Sequence, residues 1–339
     1  MAGRWGVGGL AVATLCLVGW TSSAGGASRE ISLLHASYDV TRELYKDVNA
    51  AFAAKAKAEG TTVVINQSHG GSSKQARAVI DGLKADVVSM NQSLDIEAIE
   101  KVGLIRPGWA ERLPNHSVPF TSTIVFVTRA GNPKRIVDWS DLVRPGVVPI
   151  IPNPKTSGNG RYSYLAAWAY AARQAGGDEG RARDFVAKLF TAVPVMDTGG
   201  RGATTTFVER GIGDVLLTFE NEAWLATRDG AHRDLTIVVP PSSIVAEAPV
   251  AVVDKVVSGH GTRDTAEAYL QFLFSDEGQE LAAKHHLRPY KPEVLARHAA
   301  AFPKLGLQVT VEQLGGWSAV QKRHFADGGS FDQIFAGGR

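Results

Sequence analysis

The chain has 339 residues, 44% of them hydrophobic and 21% charged. That is apolar material for one large domain or two, and it excludes an intrinsically disordered chain. The formal net charge is only +2 and no dense Lys/Arg run occurs, so no nucleic-acid partner is expected, and an anion would have to be recognised by local geometry.

The N-terminus reads as an export signal over residues 1–27. Arg4 supplies the positive end, 10–18 the apolar core, and the small residues from Ser22 to Ala27 offer cleavage after Ala24 or Ala27. The apolar core is shorter than the roughly 18 residues of a membrane span. Bulky Leu15 argues against lipid attachment at Cys16. The single cysteine therefore leaves with the signal, and the mature chain has no thiol for a disulfide, a metal or a nucleophile. The mature protein is expected in the periplasm or otherwise outside the cytoplasm.

Strand and helix then alternate. A strand is predicted over 31–37, a corner over 37–41, and a helix over 42–58 with Leu44, Val48 and Phe52 on its core stripe and Gly60 as its stop. A strand over 62–67 leads through Gly70, Gly71, Ser72 and Ser73 into a helix over 73–84, whose apolar face is Ala76, Val79, Ile80 and Leu83. A strand over 85–90 and a helix over 93–102 follow. After a Pro-rich passage at 107–119, the β-branched run 122–128 reads as a first crossing into a second lobe. There, strands are predicted at 147–151, 193–196, 214–219 and 235–239, and helices near 161–174 and 205–210. A strand over 247–253 reads as the return crossing. Helices at 263–274 and 276–286 are expected to be capped by Thr262 and Ser275. A tail holds Trp317 and a last helix near 331–335. Residues 28–120 with 247–300 thus form one lobe, 121–246 the other, and 301–339 a helical tail. The fold class is α/β: two parallel-type mixed sheets flanked by helices, two crossover strands and a cleft between the lobes.

Four strand-to-helix corners stand out: 37–41, 70–73, 156–160 and 198–204. Two fall in each lobe, and each is rich in Gly, Ser, Thr or Asn. The first N–H groups of a helix lack internal partners, and its dipole makes that end positive, so such a corner can seat an anion. One corner offers an exposed anion only about 0.3–1 kcal/mol, and up to about 2 when partly buried. A micromolar ligand needs about 8 kcal/mol, beyond one corner after association costs. Hydrogen bonds to a charged group at roughly 1.5–3 kcal/mol each, drawn from four corners, reach it.

Long segments here resemble a known family. They are Ser37-Tyr38-Asp39-Val40-Thr41-Arg42-Glu43-Leu44-Tyr45, Gln67-Ser68-His69-Gly70-Gly71-Ser72-Ser73-Lys74-Gln75, Gly131-Asn132-Pro133-Lys134 and Pro152-Asn153-Pro154-Lys155-Thr156-Ser157-Gly158. Thr206-Phe207-Val208-Glu209-Arg210-Gly211-Ile212-Gly213-Asp214-Val215 and His324-Phe325-Ala326-Asp327-Gly328-Gly329 continue the pattern. From about Leu33 onward the chain resembles the periplasmic sulfate/thiosulfate-binding proteins of ABC importers. The resemblance implies the two-lobed type II periplasmic binding protein fold and capture of sulfate or thiosulfate without catalysis, metal or cofactor. It also implies delivery to the membrane permease subunits of an importer, and a monomer is expected. It places donors at the N–H of Asp39, the N–H and hydroxyl of Ser72, and the N–H groups of Gly158, Asn159 and Gly200. Phe219 stands where the sulfate branch has a donating tryptophan indole, and Asn159 where that branch has glycine. Both look more like the thiosulfate branch, whereas His69-Gly70-Gly71 looks more like the sulfate branch. Ser73, Ser157, Arg161, Thr198, Gly199 and Arg201 are expected to support the site.

Neither ligand carries a proton near neutral pH, so the site wants donors only, and the Asp39 carboxylate is expected to turn away and pair with Arg161 or Arg201. Other chemistries find weaker support. A secreted hydrolase of sulfate or phosphate esters would need a nucleophile, base or metal beside the corners, and no Gly-x-Ser-x-Gly elbow, phosphate loop or His-Glu-x-x-His occurs. His285 and His286 are adjacent, so on a helix they diverge by about 100° and do not share a metal. A binding protein for molybdate or phosphate is the remaining alternative.

Overall fold

The computed structural model describes Met1 and residues 30–228 and 234–336. The expected export signal, Met1 apart, lies outside the described residues. In the first lobe, β1 (Glu30–Tyr38) and β2 (Thr62–Gly70) pair in parallel along their whole length, with Tyr38 opposite Gly70. β3 (Val87–Ser89) lies parallel on the other side of β1, with Ser37 opposite Ser89. Parallel strands end at one edge of a sheet, so the chain leaves all three side by side. The register alone therefore sets the corners after Tyr38 and Gly70 next to each other. Helix Arg42–Ala58 buries Leu44, Tyr45, Val48, Phe52 and Ala56 at helical spacing.

The second sheet is organised around the crossing strand β4 (Phe120–Thr128). β6 (Val215–Phe219) pairs antiparallel on one side, with β5 (Pro149–Ile150) parallel beside it. β7 (Thr236–Val238) and β8 (Ser242–Glu247) pair antiparallel on the other. This sheet is less parallel than expected because β4 enters from the first lobe and so runs against the strands built in the second. The return crossing is also divided. β8 ends at Glu247, and β9 (Val250–Val252) joins the first sheet antiparallel to β3. Pro249 between them has no N–H to donate, and its carbonyl accepts the Met90 N–H at 2.9 Å. β10 (Arg288–Pro289) then pairs the first two residues of β4.

Some local expectations change. No strand forms over 193–196: Pro194 has no donor, and the Val193 N–H closes a turn on Phe190 O. The helix expected from 205 starts at Gly200 and runs to Val208, despite its glycines and threonines, because Ala203, Thr206 and Phe207 are buried on one side. Ser275 caps helix Asp276–Lys284 by accepting the Gly278 N–H. The Thr262 hydroxyl instead donates to the buried Asp86 carboxylate at 2.6 Å. The C-terminal stretch contributes a strand as well as helices, since β11 (Leu307–Val309) extends the second sheet beside β8. Its helices close over helix Gly158–Gln174, where Tyr164 contacts His324, Phe325 and Phe331.

His324 is buried there. Its Nδ1 lies 3.1 Å from Tyr164 Oη and its ring stands edge-on to Trp168. Burial, and then the neighbouring Arg323, lowers its pKa to about 4, against a partial opposing pull from Glu179. Because the folded pKa lies below the unfolded one, this neutral imidazole's contribution is complete above about pH 6.5 and is lost as pH falls towards 4. Within that window each pH unit removes at most about 1.4 kcal/mol. Urea unfolding at pH 7 and pH 5 should show the parent chain losing more stability than His324→Gln; equal losses would contradict this assignment.

Candidate functional site

The four corners meet. A methyl at Gly71 would stand 2.8 Å from the Thr156 carbonyl oxygen and 3.1 Å from that of Thr198, both across the cleft. A Cβ at Gly158 would fall on the Asn91 side chain, and one at Gly199 would stand 2.5 Å from Asp39 Oδ2. One at Gly200 would lie 3.1 Å from Val40 Cγ1. The lobes are therefore closed on each other, and glycine at these positions is what lets backbone approach backbone. Within the second lobe the two corners are tied together, the Asn153 N–H donating to Asp197 O at 2.8 Å.

Helix starts place the donors. Helix Ser72–Ile80 begins directly after Gly71, helix Gly158–Gln174 after Ser157, and helix Gly200–Val208 after Gly199. The Ser157 hydroxyl takes the Gly160 N–H and its carbonyl takes that of Arg161. Asp39 Oδ2 takes the Arg201 N–H at 3.3 Å. The N–H groups of Ser72, Gly158, Asn159 and Gly200, each in a first turn, have no intrahelical partner. These helix starts lie on both lobes, at the corners that meet, and Asp39 follows β1 in the first of them.

The side chains around this cluster are mutually engaged. Ser72 is 1% exposed; its hydroxyl donates to Asp95 Oδ2 at 2.6 Å and accepts the Asn91 N–H at 3.1 Å. Gln92 Nε2 donates to Ser73 Oγ and to Asp95 Oδ2. Asn91, Gln92 and Asp95 are buried, and the carboxamide oxygens of Asn91 and Gln92 have no partner among the described residues. Sequence reading missed this trio, since Asn91-Gln92-Ser93 shows only a sequon pattern; the mark it leaves is a polar turn directly after the buried strand β3. Thr198 is exposed at the lip of its corner.

Of the two arginines expected to pair with Asp39, Arg201 does so through its backbone N–H and Arg161 does not. Arg161 turns the other way: its Nε donates to Pro154 O at 2.9 Å and its guanidinium lies over the Phe325 ring at 5.3 Å. Arg201 meets Asp39 through its backbone N–H only. Its guanidinium grips Glu43 across the cleft, with contacts of 3.1 and 3.0 Å to the two carboxylate oxygens. It also grips Glu222 in its own lobe, at 2.8 Å from Nε and 3.0 Å from Nη2. Burial raises the Asp39 pKa, partly offset by the Arg201 N–H and charge. Burial likewise raises Glu222, partly offset by Arg201. For Glu43, burial is outweighed by the Arg201 fork, and the pKa falls. His69 bridges Ser37 Oγ and Gln67 Oε1 at 2.7 Å each. Burial and then Arg42 lower its pKa to about 4, so it is neutral at physiological pH.

Phe219 is 2% exposed and stands edge-on to Tyr38 and Tyr162, beneath the first and third corners. Lys74 is exposed. Lys155 turns from the site to the C-terminal stretch, donating to Asp332 Oδ2 at 2.9 Å and to Phe325 O at 3.0 Å. The adjacent histidines part: His285 meets Asp47, and His286 stacks on Trp224. Around the corners, Arg201 is thus held between two carboxylates, while Arg161 and Lys155 are turned to partners of their own.

Residues 33–288 match the family model for bacterial extracellular solute-binding proteins. The chain is 56% identical over 315 residues to the thiosulfate-binding protein of Pseudomonas aeruginosa, covering 92% of this chain and 95% of that one. It is 52% identical over 332 residues to the sulfate-binding protein of Escherichia coli, covering 98% of each. Among solved structures it superposes on the sulfate-binding protein SubI from Mycobacterium tuberculosis with a TM-score of 0.79 and 35% identity, over 86% of this chain and 98% of that one. A periplasmic thiamin-binding protein shares the fold alone, with a TM-score of 0.65 at 18% identity, over 84% of this chain and 92% of that one.

The charged network yields a contrast. Arg201→Gln leaves the 1% exposed side chain of Glu222 without its cation and should cost about 3–5 kcal/mol. Glu43→Gln removes a partly exposed partner and should cost under about 1 kcal/mol. Urea unfolding of both variants at pH 7.5 measures this, and equal costs would contradict the assigned roles.

Proposed function

We propose that this chain, which belongs to the family of bacterial extracellular solute-binding proteins, captures sulfate or thiosulfate in its interlobe cleft and delivers it to an ABC importer. The protein is a binding protein, not an enzyme, and works outside the cytoplasm. The observation that supports the ligand reading is the meeting of helix starts from both lobes, with residue 71 close against the Thr156 and Thr198 carbonyls and residue 200 against Val40. Asp39 would contribute its N–H, Ser72 its N–H and hydroxyl, and Gly158, Asn159 and Gly200 their N–H groups. Release of the Ser72 hydroxyl from Asp95 would accompany binding.

Charge-neutral donors suit these anions. A proton-free dianion needs donors only, while a protonated phosphate needs one acceptor, and an unmatched buried acceptor costs roughly 1–3 kcal/mol. One oxygen of the Asp39 carboxylate is turned to the Arg201 N–H; the donors-only reading requires that the other also be turned from the ligand. Phe219, where a donor would favour a fourth oxygen, leaves an apolar wall beneath the cradle, which supports thiosulfate as the better ligand. Residues 28–120 with 247–300 would move as one lobe and 121–246 as the other. Because Lys155 and Tyr164 hold the C-terminal helices, the stretch 301–339 would move with the second. Both halves of the cradle come from one chain, which supports a monomer; the permease subunits would read the closed form.

Titration calorimetry of the mature chain should give a micromolar or tighter Kd for sulfate or thiosulfate and much weaker binding of phosphate and molybdate. No heat with sulfate or thiosulfate from folded protein would end this reading. Gly71→Ala sets a methyl against two backbone carbonyls that cannot yield, so it should weaken either anion by about tenfold or more with little change in the melting temperature of the ligand-free chain. Unchanged affinity would show that closure at Gly71 is not needed for capture.

A further inference from the structure

Asn159 contributes a side chain as well as an N–H to the second lobe. The residue is 2% exposed. Its Nδ2 donates to Thr218 Oγ1 at 3.0 Å, and the Ser163 hydroxyl donates to its Oδ1 at 3.3 Å. Thr218, the residue before Phe219, is itself fully buried. The carboxamide is thus fixed by the strand on one side and by its own helix on the other.

The same carboxamide borders Gly200. A Cβ there would lie 3.3 Å from Asn159 Nδ2 and 3.7 Å from Asn159 Cβ, with Val40 Cγ1 of the other lobe at 3.1 Å. Gly200 is not among the positive-φ glycines, so its backbone does not demand glycine; a Cβ there would fit tightly against side-chain atoms of both lobes. Residue 200 is flush against Asn159 within the lobe and against Val40 across the cleft. The side chain of Asn159 therefore acts as a spacer between two helix starts, the one carrying the N–H groups of Gly158 and Asn159 and the one carrying that of Gly200.

We propose that the Asn159 carboxamide and the absent side chain at Gly200 form one selectivity element, which holds the two helix starts at a spacing suited to the larger anion, thiosulfate. The proposal rests on the anion-capture reading above. Sulfate and thiosulfate carry the same charge and no proton, so neither net charge nor proton bookkeeping separates them. They differ in one atom, an oxygen replaced by a larger and more weakly accepting sulfur. A spacer between donor groups acts on that difference directly. Without the carboxamide the helix starts can draw together, which favours the smaller anion. A methyl at residue 200 competes for the same space, so the two positions are energetically coupled.

The test is titration calorimetry of the intact mature chain with sodium sulfate and with sodium thiosulfate. It compares the parent with Asn159→Gly, Asn159→Ala, Gly200→Ala and the double variant N159G/G200A, with melting temperatures recorded alongside. Both Asn159 variants should weaken thiosulfate about fivefold more than sulfate, and the double variant should lose about fivefold less affinity than the product of the two single losses. A general loosening of the fold would lower both affinities together and leave their ratio in place. A ratio unchanged within about twofold in both Asn159 variants, or single losses that simply multiply, overturns the proposal. If Gly200→Ala does not fold, the ratio in Asn159→Ala alone decides. If the parent binds neither anion, the capture reading fails and the selectivity element with it; if the parent binds and the ratio does not move, only the selectivity element fails.

Discussion

The contact on which the structure turns is the approach of the Gly71 backbone to the carbonyls of Thr156 and Thr198, with no side chain in between. Everything at the cleft follows from that proximity. The full-length parallel pairing of β1 and β2 delivers the first two corners together. The Asn153–Asp197 bond holds the third and fourth corners together. Glycine at 71, 158, 199 and 200 then lets the two pairs close until helix starts from opposite lobes face one another. A side chain at any of these positions would separate dipoles whose effect decays within about one helical turn.

Around that contact the full charges are arranged so as not to dominate. Arg201 is held by two carboxylates, one from each lobe, and Arg161 is turned to a carbonyl and an aromatic ring. Lys155 is committed to the C-terminal helix. His69 is neutral because it is buried beside cations. Such an arrangement can hold a dianion through many modest hydrogen bonds and lose it again when the lobes part, since most donors become incomplete once one lobe is withdrawn. The Arg201–Glu43 pair spans the cleft as well and favours closure independently of the anion. The C-terminal helices stiffen helix Gly158–Gln174 from behind, through Tyr164 and Lys155, so the third corner presents a fixed edge.

Much of this was legible in the sequence, for physical reasons. Helix Arg42–Ala58 carries its apolar residues at strict helical spacing, and its predicted bounds match. The corners were visible because turn or cap residues precede a helix at each, although the fourth is entered from a turn and not from a strand, and long motifs added the family. The parts that were not legible depend on contacts between distant segments. Asn91, Gln92 and Asp95 look like an ordinary polar turn until Ser72 is packed against them. Arg201 is one of the two partners named for Asp39, but spacing cannot tell that its backbone N–H and not its guanidinium makes the bond. The split of the return crossing at Pro249, and the strand in the C-terminal stretch, are set by which sheet edge each segment meets. The helix start at Gly200 runs against local propensity and is decided by burial of Ala203 and Phe207.

The proposed cradle of neutral donors from two lobes makes a sharp claim about a bound anion. A crystal structure of the mature chain with sulfate or thiosulfate at neutral pH tests it most directly. The account predicts an oxyanion contacted by the N–H groups of Asp39, Ser72, Gly158, Asn159 and Gly200, with donors from both lobes and no lysine or arginine side chain touching it. An anion held chiefly by such side chains, or touching one lobe alone, would contradict the account.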